Sequence, residues 1–356
     1  MCVNGTAQWG SAAPAWAEAV EVKRAPDPTE IGDEGCQYEG ATRIIFNGDG
    51  TMTVWSKNTT TKPNDGCGSL DELSSATGAV VDVPDGSIIY VKSIDVDANP
   101  ALNKEIPSKG IGGPSGKELP LGTYETKYEG LPMGSGDTYT HEVSMKYSDK
   151  FIGIGNAWIE GEAAGTVTVY ADRSIVLTGD LLTEDDDNDL LGLMAGGSIE
   201  IYNPVMETLK AVVNPSASGS YLWSQPGDDQ RVRATGTNVW PTDYQGDTDV
   251  LRIEAGIIAG NGSFRLQNWK IGSTTGGPAP LGEVQLFGSL AQNFRGVLGW
   301  DSGESAAPSL LSGYKKSFTY NGNLTKKRPL LFSPIGNGEW SIWWQEKVDP
   351  PKVVKT

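Results

Sequence analysis

Between residues 166 and 204 the chain alternates. TVTVY, SIVLT and SIEIY each place apolar side chains at every second position, and Gly, Asp and Asn fill the gaps between them. A period of two marks a strand with one buried face, and turn-formers at such intervals leave no room for a helix. The pattern predicts strands over 167–170, 174–178 and 198–202, extends upstream to 151–154 and 157–160, and resumes after a break at 251–259, 263–269 and 283–287. Short strands without intervening helices argue against a βαβ fold and leave a sandwich, a barrel or a β-solenoid. The expected fold is all-β: a right-handed parallel β-helix over 151–345, preceded by a β-hairpin region and interrupted by long loop insertions.

The hairpin is read from two runs, 42–46 and 51–55, flanking Asn47-Gly48-Asp49-Gly50, a composition suited to a tight turn. A further strand is predicted at 87–92. Residues 1–35 read as an irregular segment with a short helix near 15–22, and 36–150 as a disulfide-closed β region that runs into a Gly-, Pro- and Ser-rich loop from 96. Residues 204–250 read as an insertion on the β-helix. The end of the 151–345 region, through Trp340, Trp343 and Trp344, reads as a cap over an otherwise open solenoid end, and 346–356 as a tail. Insertions on a solenoid gather on one face, often the binding face. Within 204–250, Trp223, Trp240 and Tyr244 are therefore the candidate partner-binding aromatics, although the same side chains would serve to fold the insertion back onto the scaffold.

Charge narrows the functions. A net charge of −17 offers nothing to neutralise a phosphate backbone and disfavours docking on an anionic membrane. The first residues, MCVNGTAQWG, lack a basic stretch followed by an apolar one. The expectation is a fragment, with membrane attachment only through a segment upstream of this sequence. Of the cysteines, Cys36 and Cys67 bound the hairpin and are expected to form a disulfide in an oxidising, extracellular compartment, leaving Cys2 over.

Candidate chemistry is sparse. His141 is the sole histidine, and no matching nucleophile accompanies it, so catalysis through it is not expected. The densest acidic run, 184–189, spaces Asp185, Asp187 and Asp189 as hard oxygen ligands for calcium would be spaced. An EF-hand loop wants Gly at its sixth position and Glu at its twelfth, where Leu190 and Gly196 stand, so a solvated turn is the plainer reading. Asp95, Asp97 and Asn99 repeat the spacing ahead of Pro100. No cofactor other than this calcium is expected. Asp172 and Asp180, with Glu160 or Glu200 on neighbouring strands, are the carboxylates a glycan hydrolase or lyase on this scaffold would use.

Several segments in order resemble one family. CQYEGATRI from Cys36 with DGTMTV from Asp49, TVTV from Thr166, SIVLTGD from Ser174, LGLMA from Leu191, GSLAQNFRG from Gly288 and GYKKSFTY from Gly313 are similar to actinobacterial surface proteins encoded with type IV pilus genes. The resemblance spans about residues 36–345 and implies a pilin-like exported N-terminus before a β-helical ectodomain. Gly197-Ser198, Asn203, Asn321 and Asn323 depart from the family pattern. The expected function is that of a non-enzymatic extracellular protein in adhesion, surface display or pilus assembly. Pilus or cell-envelope proteins, with surface glycans, are the expected partners. A carbohydrate-active enzyme and a phage-like receptor-binding module are the alternatives.

Overall fold

The computed structural model describes residues 35–94, 138–143, 154–203, 205–213, 221–226, 230–231, 250–269, 280–301 and 309–332, except Lys62 and Asp186; at 138–143, 205–213, 221–226 and 230–231 it describes the backbone alone. The chain enters as β1 (Cys36–Glu39), β2 (Thr42–Asn47) and β3 (Thr51–Trp55). A five-residue helix, α1 (Leu70–Ser74), leads into β4 (Ala79–Asp82) and β5 (Ser87–Lys92). β6 (Thr138–Val143) lies within the Gly- and Pro-rich stretch. Then come β7 (Ala157–Ala163), β8 (Thr166–Ala171), β9 (Ile175–Thr183), β10 (Leu190–Ala195) and β11 (Ile199–Ile201). β12 (Val205–Val213), β13 (Tyr221–Pro226) and β14 (Gln230–Arg231) occupy the second insertion. β15 (Val250–Ala259), β16 (Phe264–Leu266), β17 (Pro280–Gln292), β18 (Gly299–Asp301) and β19 (Leu310–Tyr320) complete the strands.

The chain is all-β, built on a curled, mixed and mostly parallel sheet with almost no helix. Two parallel ladders make up most of it. One runs β1–β5–β8–β10–β15–β17–β19. The other runs β2–β7–β9–β11–β16 and is extended antiparallel by β3 and β4. From β7 to β16 each successive strand of the main sheet joins the ladder that its predecessor did not. In-register pairing stacks like on like: Cys36, Ile89, Val169, Leu193 and Ile257 follow one another in the first ladder. Ile44, Ile159, Leu177, Ile201 and Leu266 do so in the second. Both columns belong to one continuous core, and each fully buried aliphatic side chain contributes about 1.5–3 kcal/mol of transfer free energy.

The expected hairpin is present. β2 and β3 pair in register from Arg43↔Trp55 to Phe46↔Met52. Gly48 and Gly50 take the positive φ values of +76° and +79° that the turn requires, and the Asp49 carboxylate accepts from the Thr51 amide at 3.0 Å. The disulfide is also present, Cys36 to Cys67, with Cα atoms 5.6 Å apart. It does not clasp the hairpin strands to each other. It ties β1 to the loop after the hairpin, where the Tyr38 hydroxyl donates to the Cys67 carbonyl at 3.1 Å and the Glu39 amide to Thr59 Oγ1 at 2.9 Å. That loop lies along β1, closing this end of the first ladder.

Two features escaped the alternation pattern. β10 is buried at every position, so its residues do not alternate. Its inner residues join the core, while Met194 joins Ile88, Tyr90 and Tyr170 in a second cluster on the outer face, packed by Leu331 and Phe332. Thr168 Oγ1 donates to the Leu330 carbonyl at 2.9 Å. Residues 329–332 thus form a strap across β8, β10 and β15, seated where the column narrows to Gly192 and Gly256. β19, the second feature, adds a rung to the first ladder in a region expected to be cap; the tryptophans at 340, 343 and 344 lie outside the described residues. No helix among the described residues is long and apolar enough to cross a membrane.

A Cβ at Gly192 would stand 2.5 Å from Pro329 Cβ and 2.8 Å from the Phe332 ring. Gly192→Val is therefore expected to lift the strap and destabilise the fold by about 1–3 kcal/mol in urea denaturation. Gly256→Ala, where the new atom meets the Phe332 ring at 3.0 Å, is expected to cost less. An unchanged midpoint for Gly192→Val would show that the strap contributes nothing to stability.

Candidate functional site

The acidic turn after β9 is organised by Asp185. Its Oδ1 accepts from the amides of Asp187 at 3.0 Å and Asn188 at 3.2 Å, and its Oδ2 accepts from Asn188 Nδ2 at 2.8 Å. The Asp185 amide in turn donates to Asp189 Oδ2 at 3.1 Å. The Asn188 side chain first, and the Asp187 amide next, hold the Asp185 carboxyl below its ordinary pKa. The turn faces an open polar depression lined by Ala164, Gly165, Glu184, Asp185, Asp187 and Asp189. Among the described residues no three His, Cys, Asp or Glu side chains come together to hold a metal ion. The turn's own N–H groups take up most of the acceptor capacity of Asp185, which is the arrangement of a solvated, self-capped turn. Asp95, Asp97 and Asn99 lie outside the described residues.

Stability drawn from a depressed carboxyl is present above its unfolded pKa and is lost as pH falls through the folded one. Asp185→Ala is accordingly expected to loosen this turn at neutral pH and to change little once the carboxyl is protonated. Adding calcium to the native chain is expected to leave its melting temperature unchanged. A melting temperature that climbs with calcium concentration would restore the metal reading.

The carboxylates considered for glycan chemistry are each engaged separately. Asp172 accepts from the Ser93 amide at 2.7 Å and the Tyr90 hydroxyl at 3.0 Å. Burial first, then the Asp172 charge, pushes the neighbouring Tyr170 phenol up to about 12. Asp180 pairs with the Arg252 amide at 2.9 Å and Nε at 3.3 Å. Glu160 is buried against Arg43 at 2.6 Å, and the Arg43 guanidinium lies 5.8 Å from the centre of the Trp55 ring. Glu200 accepts from Arg265 through one oxygen and from Gln267 Nε2 at 2.7 Å through the other. Sequence reading missed both arginine pairs. Their trace was there: charged residues at outer-face positions of strands whose inward positions are apolar, separated in the Arg43–Glu160 case by 117 residues.

Arg43 and Glu160 have 4% and 8% of their side-chain surface exposed. Removing one partner of so buried a pair strands the other, so Glu160→Leu or Arg43→Met alone is expected to cost about 3–5 kcal/mol. Arg43→Met combined with Glu160→Leu is expected to recover much of that loss, as a double-mutant cycle in urea would measure. Additive losses would show that the pair is not coupled.

The two insertions meet. β6, from the first, runs antiparallel to β12, from the second, with Thr138 opposite Val212 and Val143 opposite Glu207. β13 pairs with β12 along the opposite edge, and β14 pairs near the start of β12. The result is a four-stranded sheet separate in hydrogen bonding from the main one. It draws β6 from the first expected contact region and β12, β13 and β14 from the second. Trp223 stands on β13 opposite Ala211, and His141 on β6 opposite Leu209; Trp240 and Tyr244 lie outside the described residues. No protein family, curated protein or solved structure matches the chain. Positions that depart from the resembled family pattern have local duties. Asn203 Nδ2 donates to the Gln267 and Asn268 carbonyls at 3.1 and 3.3 Å, and Asn321 Oδ1 caps a 3₁₀ turn by accepting from the Asn323 amide at 2.9 Å.

Proposed function

We propose that the chain is a non-enzymatic extracellular scaffold tied to type IV pili or the cell envelope, acting in surface display, adhesion or pilus assembly. The observation that carries this reading is the pairing of β6 with β12, by which two insertions distant in sequence build one sheet beside the scaffold. Connecting loops have no need of a shared sheet; a contact head does. Trp223, Trp240 and Tyr244 belong to that insertion as its candidate contact aromatics, and pilus or envelope proteins, with surface glycans, are the partners proposed for it.

Other observations support the remaining parts. Alternation of the chain between two parallel ladders favours a β-helix in which each coil gives one strand to each ladder, with right-handed winding as the general rule for parallel crossovers. The Cys36–Cys67 disulfide favours an oxidising compartment. The link to pili rests on the similarity of the ordered segments from Cys36 to Tyr320, and membrane attachment is proposed only through a segment upstream.

Filaments sheared from the source cells and probed for this chain are expected to contain it. Replacing residues 204–250 by a short turn is expected to abolish that association while leaving the disulfide and the melting temperature of the remainder in place. Surface exposure without filament association would shift the reading to an envelope adhesin. A cytosolic chain with free thiols at Cys36 and Cys67 would overturn it.

A further inference from the structure

β4 and β19, at limits of the main sheet, each keep an edge that described strands leave wholly or partly uncovered, and their surroundings differ in charge. β4 pairs with β3 along one edge only. Its Val80 is 67% exposed, its Asp82 is exposed, and α1, which leads into it, carries Asp71 and Glu72. β19 pairs with β17 along one edge, while on the other β18 covers it only from Leu310 to Gly313. Beyond that, Lys315, Lys316, Phe318, Thr319 and Tyr320 are all exposed. Phe318 and Tyr320 retain 44% and 53% of their surface although the Phe318 ring reaches Phe264 of the second ladder at 6.2 Å.

The β19 end is also basic within a chain of net charge −17. Lys315 holds only an exposed contact with Glu283 at 3.5 Å. Lys316 stands near Arg295: partial burial first, and that like charge second, lower its pKa, while Asp301 acts in the other direction. An uncovered edge displays a row of backbone donors and acceptors that templates another strand, and strand addition supplies main-chain hydrogen bonds while flanking side chains select the partner.

We propose that the chain self-associates head to tail, the basic β19 edge of one copy against the acidic β4 edge of the next. The two edges are complementary in charge, and each carries exposed apolar side chains beside its free backbone groups. Pairing β19 with β19 would instead set Lys315 and Lys316 near their own copies. Because the two surfaces differ, the contact is heterologous and does not close on itself at two copies: it propagates into an open chain of molecules unless rotation happens to make a ring. The inference stands on the purified molecule and is independent of the cell-surface reading.

Sedimentation of the full chain over a wide concentration range is expected to show growing assemblies at low salt and dissociation at high salt, since exposed charges are screened. Lys315→Glu with Lys316→Glu, and separately Val80→Arg with Asp82→Arg, are each expected to abolish assembly, all four positions being on the surface. An equimolar mixture of the two variants is expected to regain it, because each reversed edge then meets an edge of opposite charge. Unchanged melting temperatures verify that both variants are folded. A chain that stays monomeric at low salt would overturn the proposal. So would assembly that survives the β4 substitutions, which would place β19 against itself or against another surface, and so would a mixture that fails to reassemble.

Discussion

A parallel ladder cannot leave a face bare. Strands such as β8 and β10 carry apolar side chains on both sides, and the rest of the structure follows from finding cover for each side. Inner faces cover one another across the shared core. The outer face of the first ladder is covered by the strap at 329–332, for which Gly192 and Gly256 clear the space. The outer face of the second ladder is handled by a different chemistry, with Arg43 against Glu160 and the half-exposed Arg265 with Gln267 against Glu200, so that each buried carboxylate there has a partner.

The same constraint decides what could be read from the chain. β5, β8 and β15 were legible because turn residues bound short runs rich in β-branched and aromatic residues. The hairpin at Asn47-Gly48-Asp49-Gly50 was legible because its turn chemistry is local. β10 was not, since a strand buried on both faces loses the alternation that marks a strand at all. β19 was hidden for the opposite reason: several of its core-parity positions, Lys316, Phe318 and Tyr320, are exposed at the last rung, so apolar character does not track burial there.

Of the candidate site, sequence identified the regions and not their relation. Both insertions were marked by composition, but nothing in either run says that Thr138 lies opposite Val212. Pairing between distant strands is a property of the folded scaffold that brings their roots together. Spacing likewise suggested a calcium loop at Asp185, Asp187 and Asp189, where local hydrogen bonding makes a self-satisfied turn. Sequence spacing alone does not separate a ligand loop from a turn closed by its own side chains.

The strap has a bearing on timing. Residues 329–332 come after β19, yet they rest on strands completed much earlier in the chain. During synthesis or export that begins at the N-terminus, the groove at Gly192 and Gly256 therefore stays without its strap until the chain has emerged past residue 332. A polypeptide stalled before residue 329 would carry its core strands with a greasy seam along one flank. That seam offers a quality-control factor a direct way to tell a chain stalled before its strap from one that has passed it.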